Sequence, residues 1–194
     1  MPTPSDGLDR SRTPGLGRRR VLAAGAAGVA SAALPRRSRA TEPPRALRLY
    51  NPHTDERFDD VYHDGTGYLE RPLYRLNWLL RDFRRDTAIR IDPATLDLVW
   101  RLHEKYRIAR GHVPWVNVHS AYRTPETNAA LRIEGAAQNS FHMRGQAIDV
   151  SVQGYGIHIL ANFAQAVQTG GLGIYWRSRF VHLDTGPRRF WYVR

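Results

Sequence analysis

Cysteine is absent from the 194 residues, so neither a disulfide nor a thiolate metal ligand is available, and any metal has to sit among His, Asp, Glu and water. Long apolar runs are lacking too. The stretch Val21 to Leu34 holds 14 uncharged, mostly small residues, too short and too weakly hydrophobic for a comfortable membrane span. There is no internal repeat, no coiled-coil heptad and no Gly-rich phosphate loop carrying the required lysine. Acidic residues are outnumbered, giving a formal net charge of +11. Eight of the 29 Lys and Arg residues lie in positions 1–40, however, opposed there only by Asp6 and Asp9. From Thr41 onward 21 basic residues face 16 acidic ones, a net of +5 spread along the chain. That distribution argues against a nucleic-acid groove and for an anionic milieu or substrate.

What is present begins with a leader. Met1 to Gly17 is rich in Pro, Gly, Ser and charge. Gly17-Arg18-Arg19-Arg20-Val21-Leu22 then resembles the twin-arginine export signal, adjacent arginines just ahead of a mild apolar core. Cleavage is expected after Ala33 or Ala40. Residues 1–40 are therefore read as an export leader and 41–194 as a single domain, periplasmic or exported, monomeric, and without a membrane span once the leader is removed.

Hydrophobic residues at 42% and five Trp supply a core for that domain. Leu47 to Tyr50 and Phe58 to Tyr62 read as a hairpin around the Asn51 to Arg57 turn. Leu69 to Arg85 has helical periodicity. Asp92 is a good N-cap with Pro93 behind it, opening a helix whose buried side is Leu96, Val99, Trp100, Leu102, His103 and Tyr106. Val113 to Ser120 reads as a strand, Thr124-Pro125 as a helix start, Ile157 to Gln168 as a helix, and Gly170 to Tyr175 and Phe180 to Leu183 as strands. The class is α+β, a small antiparallel sheet with packed helices.

The chemistry centres on Ser140-Phe141-His142-Met143-Arg144-Gly145-Gln146-Ala147-Ile148-Asp149. In a strand Ala147, Asp149 and Ser151 share one face and Ile148, Val150 and Val152 the other, so Asp149 is no plain surface charge. His nitrogen and carboxylate oxygen suit zinc, and His182, in a second short apolar segment, is the natural third ligand. The same His and Asp also fit a hydrogen-bonded structural pair. Arg123, at a strand-to-helix transition, either pairs with Glu126 or holds a substrate carboxylate with its fork of donors.

Ser-x-His-x-x-Gly-x-Ala-x-Asp at 140–149 resembles the zinc peptidases that cut D-amino-acid-containing peptides, peptidase family M15. With the Asn51 to Glu56 turn, Leu80-Arg81-Asp82, Ser120 to Asn128 and Val181 to Gly186, the stretch from Leu47 to Trp191 looks like the YcbK-like family of exported murein peptidases. The resemblance implies the hedgehog/D-Ala-D-Ala zinc peptidase fold, a Zn2+ cofactor on His142, Asp149 and His182, Arg123 as a substrate-carboxylate residue, Ser140 in support, and hydrolysis of peptidoglycan stem peptides or crosslinks. The chain departs from its relatives where some place an acidic base three residues before the last histidine, here Arg179, or a histidine two before it, here Phe180. Asp184 and His119 remain as proton-handling candidates. The competing reading is a noncatalytic peptidoglycan-binding module.

Overall fold

The alternation of Leu47 and Leu49 with more polar neighbours puts both leucines on one face of β1 (Arg45–Asn51), where they are fully buried. Asp55 takes a positive φ to turn the chain into β2 (Glu56–His63), which pairs antiparallel with β1. Helices α1 (Glu70–Leu79) and α2 (Pro93–Arg110) follow, then β3 (Val116–Ser120), α3 (Pro125–Ala130), β4 (Ala147–Val152), α4 (Ile157–Val167), β5 (Gly171–Tyr175), β6 (Phe180–Asp184) and β7 (Arg189–Val193). This computed structural model describes residues 42–194. The expected export leader lies outside the described residues.

One seven-stranded sheet runs in the order β2-β1-β3-β4-β6-β5-β7. The α+β class holds, but the sheet is mixed: β1 pairs parallel with β3 and β5 parallel with β7, while the other four pairings are antiparallel. Helices α2 and α4 pack on each other and against β1, β4 and β6. Val116, Val118, Ile148, Val150, Val181 and Leu183 alternate into the buried core. Fully burying one such side chain stabilises the fold by about 1.5–3 kcal/mol. The intervening residues of the same strands, Asn117, His119, Asp149, Ser151, His182 and Asp184, belong to the opposite face. Period-two alternation thus separates a packing face from a polar one.

Helix boundaries follow local chemistry where it is strong. The Asp92 carboxylate accepts from Ala94 N at 2.9 Å, Pro93 sits at the first helical position, and Gly111 (φ 77°) ends α2 in a left-handed turn. Helix α1 stops at Leu79, six residues short of the expected Arg85. Nonlocal bonds take the chain away there: the Leu80 carbonyl accepts from Tyr122 N, and the buried Asp82 carboxylate accepts from the backbone and hydroxyl of Thr124. Arg81 turns inward to pair with Glu56 and Asp86. Strand β7 lacks an alternating pattern legible in the sequence, and forms because β5 offers it a parallel edge. Among the described residues no helix is long and apolar enough to cross a membrane.

His103 lies within the buried stripe of α2, 1% exposed, and neither ring nitrogen makes a hydrogen bond. Burial, with the Arg48 charge adding to it, holds its pKa down to about 4. Between that value and the ordinary 6.5 the unfolded chain binds the extra proton, so stability falls as pH drops through this window, by up to about 3 kcal/mol in all. His103→Leu is expected to flatten that loss. Urea midpoints of both proteins from pH 7 to pH 4.5 check this; a stability difference between them that does not change with pH contradicts it.

Candidate metal centre

Asp149 and His182 face each other directly across the β4–β6 pairing, and Asp149 is also the partner of Ser120 on β3. His142 reaches the same place from a single 3₁₀ turn, Phe141–Arg144, that leads into β4. Ser140 caps this turn, its Oγ accepting from His142 N at 3.3 Å. Gly145 closes it at φ 65°, and a β-carbon there would press at 3.2 Å on Arg90, Ile89 and Ile91. The Gly145 carbonyl accepts from Asp92 N and from Thr95 Oγ1, tying the turn to the start of α2.

Three acceptor atoms converge. His142 Nε2 lies 3.1 Å from His182 Nδ1 and 3.3 Å from Asp149 Oδ1, and His182 Nδ1 lies 2.9 Å from Asp149 Oδ1. All three residues are buried. A tetrahedral divalent ion with bonds of about 2.0–2.1 Å sets its ligand atoms roughly 3.3–3.4 Å apart, so the triangle needs only a slight expansion. The outer nitrogens fix the tautomers. His142 Nδ1 donates to the Ala121 carbonyl at 2.6 Å and His182 Nε2 donates to Asp184 Oδ2 at 2.8 Å, which turns both remaining lone pairs inward beside the carboxylate. Packed without a cation, three such acceptors repel one another unless a proton sits among them. The donor set and its spacing therefore fit a small divalent ion.

The titration behaviour agrees. Burial would push Asp149 up, yet the His142 and His182 rings overcome it and hold the carboxyl well below its ordinary value. Burial keeps His142 below the usual imidazole range against the pull of Asp149. His182 goes the other way: its bonds to Asp149 and Asp184 outweigh burial and raise it to about 9, making it the seat of the proton when no cation is bound.

Asp184 is fully buried, and its oxygens also accept from Gly171 N, Gly186 N and Arg189. Burial would raise it, but His182 and the two backbone N–H groups lower it instead. It faces the outer edge of the His182 ring rather than the cleft. Arg123 does not pair with Glu126. Its Nε donates to Ser120 Oγ at 2.7 Å and its Nη2 to Asp149 Oδ2 at 2.5 Å, which leaves both N–H groups of Nη1 and the second of Nη2 for a ligand. His119 Nε2 bonds Ser151 Oγ at 2.8 Å, and burial lowers the ring's pKa, leaving it neutral at pH 7. Arg179 is an exposed turn residue at φ 56°, and Phe180 stacks on Tyr175 at 4.4 Å.

The cleft over these residues has two lobes that share Arg123, Asp149 and Tyr175. One, about 350 Å³, holds His142, His182, Phe141 and, from β7, Arg189 and Trp191. The other, about 210 Å³, holds His119, Ser120, Arg84, Glu134 and Phe180. Sequence reasoning missed Trp191, whose ring lies 5.3 Å from that of His182, and Arg189. A signal for Trp191 exists in Gly171-Leu172-Gly173, since glycine inside a strand marks close approach. A β-carbon at Gly171 would collide with the Asp184 carboxylate, and one at Gly173 with the Trp191 indole.

Comparison with known proteins is consistent with this geometry. The family model described as peptidoglycan L,D-endopeptidase MepK, peptidase M15_2, matches residues 39–191. The chain is 37% identical over 179 residues to the peptidoglycan L,D-endopeptidase MepK of Escherichia coli K12, covering 90% of this chain and 96% of that one, and equally to the protein of that name from Shigella flexneri. It is 31% identical over 153 residues to the probable peptidoglycan L,D-endopeptidase MepK of Haemophilus influenzae, covering 78% and 81%. No solved structure matches. With its polar sheet face, its His-Asp-His triangle and these relatives, the chain belongs to the MepK family of M15 peptidases.

Proposed function

We propose that the protein is an exported zinc peptidase that hydrolyses amide bonds of peptidoglycan stem peptides or crosslinks as an endopeptidase. The observation that carries this reading is the buried triangle of His142 Nε2, Asp149 Oδ1 and His182 Nδ1 with both imidazole tautomers already fixed for a metal. The printed activity of the relatives supports the substrate class. Residues 1–40 act as a twin-arginine leader, and the domain from Thr41 works outside the cytoplasm.

Zinc on these three residues would supply Lewis acidity toward a scissile carbonyl and a lowered pKa for water. The side chains around it divide the remaining work. Asp184 orients His182 and makes it a better ligand. Arg123 anchors the second oxygen of Asp149, which leaves Oδ1 as the metal-facing atom. His119, neutral and held by Ser151 at Nε2, takes a proton from the attacking water and returns it to the leaving amine. Its ring lies 5.9 Å from Phe180, the position where some relatives place a histidine. Trp191 shields one side of His182.

Defined crosslinked muropeptides, incubated with the zinc-loaded protein with and without chelator and read by mass, test the reading. New amine termini that vanish on chelation are expected, whereas retention on sacculi without cleavage indicates a binding module. His142→Ala is expected to abolish both hydrolysis and stoichiometric zinc retention in a folded domain. His119→Gln is expected to keep its zinc and lose about 10²–10⁴-fold in kcat; an unchanged kcat would move proton handling to another group. For Asp184→Asn the expected effect is on the metal, an affinity weaker by about 10–100-fold in a zinc competition titration. Equal affinity in that titration rejects its orienting role.

A further inference from the structure

Strand β7 ends the sheet, with no strand beyond it among the described residues. Its odd-numbered residues turn their backbone to β5: Arg189 N donates to the Gly170 carbonyl, and the Val193 carbonyl accepts from Trp176 N. Backbone groups alternate along a strand, so Phe190 and Tyr192 turn both N–H and C=O outward. Their side chains stand opposite that of Trp191 and are 51% and 57% exposed. Beside Tyr192 opens a cavity of about 380 Å³ lined by His158, Trp176, Tyr192 and Arg194. An edge of this kind offers its unpaired groups as a template for a further strand. Charge is gathered around it. Residues 175–194 hold five Arg against the single Asp184, so most of the net +5 counted from Thr41 falls on the last two strands and the turns beside them. Arg177, Arg179, Arg188 and Arg194 are exposed and form no ion pair with any described residue. Arg188 precedes the strand, and Arg194 follows it on the side of Trp176 and Arg177.

We propose that β7 is a docking edge for an extended, acidic segment of a partner protein, which adds to the sheet as an eighth strand. Backbone bonds to Phe190 and Tyr192 supply affinity, the cavity beside Tyr192 takes an apolar side chain at one alternate position, and carboxylates meet Arg188 and Arg194. The arginines select the occupant. A second copy of the chain would bring the same four cations to the seam, and residues 1–40, with eight basic residues against two acidic ones, have the wrong sign as well. A peptide of mixed D and L residues does not keep its side chains alternating about a strand, so a wall peptide matches this edge poorly and an all-L protein segment matches it well. The edge is distinct from the metal cleft: Arg189 and Trp191 of the same strand line the cleft, whereas Phe190 and Tyr192 do not. Docking here depends neither on zinc nor on peptidase activity.

A fluorescein-labelled octapeptide that alternates valine and glutamate tests this by anisotropy with the full chain. Two control peptides accompany it: one with lysine in place of glutamate, and one N-methylated throughout, which keeps the charge and loses the ladder donors. The acidic peptide is expected to bind about tenfold or more tightly than either. Tyr192→Pro removes one outward donor and leaves the β5 pairing intact, and is expected to weaken binding by about tenfold with an unchanged Tm. Arg188→Glu combined with Arg194→Glu is expected to turn the preference toward the lysine peptide. Equal affinity for the N-methylated peptide means charge attraction alone and overturns the proposal; this arm uses the wild type, so it decides even where Tyr192→Pro fails to fold. An unchanged affinity in folded Tyr192→Pro, or no binding of the acidic peptide, overturns it too. Soluble murein peptides that displace the acidic peptide assign the edge to substrate and overturn the protein partner.

Discussion

The register between β4 and β6 is the constraint on which the polar face depends. Asp149 opposite His182 puts a carboxylate and an imidazole on one side of the sheet, while Ile148 opposite Leu183 and Val150 opposite Val181 stay on the other. A slip of one residue would carry Asp149 into the apolar layer beneath the helices and bring Ile148 out beside His142. Packing and site chemistry therefore select the same register. The apolar partners that bury themselves under α2 and α4 hold Asp149 and His182 together at no separate cost.

The site's weak point is the crowding of acceptors, and its neighbours answer that crowding from outside. Ala121 and Asp184 take the outward protons of the two histidines, and Arg123 occupies the outer oxygen of Asp149. Arg189 donates from Nη2 to Oδ2 of Asp184, the oxygen that also accepts from His182. Each of these contacts removes a conformational or tautomeric alternative that would let the triangle relax without a cation. Glycines at 171 and 173 are part of the same arrangement, since side chains there would displace the Asp184 carboxylate or the Trp191 ring.

Legibility in the sequence followed the range of the forces involved. The strand alternation around Asp149, the Asp92-Pro93 helix start and the buried stripe of α2 are local and were readable. His182 was readable as a ligand candidate because it interrupts an apolar strand. The overextension of α1 came from forces periodicity does not register: Asp82 bonds to Thr124, 42 positions away. The bonds of Arg123 to Ser120 and Asp149, in place of Glu126, were hidden for the same reason, since an arginine that pairs locally and one that pairs across the sheet look identical in a sequence. β7 and its Trp191 needed knowledge of a parallel neighbour, which does not follow from spacing.

Charge arithmetic then explains why a divalent cation would suit this cluster as well as the proposed chemistry. Asp149 and Asp184 contribute two negative charges, and Arg123 and Arg189, one paired with each, contribute two positive ones. With both histidines neutral the cluster is balanced, and the repulsion at its centre comes from lone pairs rather than from net charge. A single proton on His182 relieves one edge of the triangle; a divalent ion relieves all three and leaves the cluster at +2. That surplus is what a carbonyl oxygen gaining negative charge would meet. It would also draw the carboxylates of an anionic substrate toward the cleft, while the two arginines already committed to the triad stay where they are.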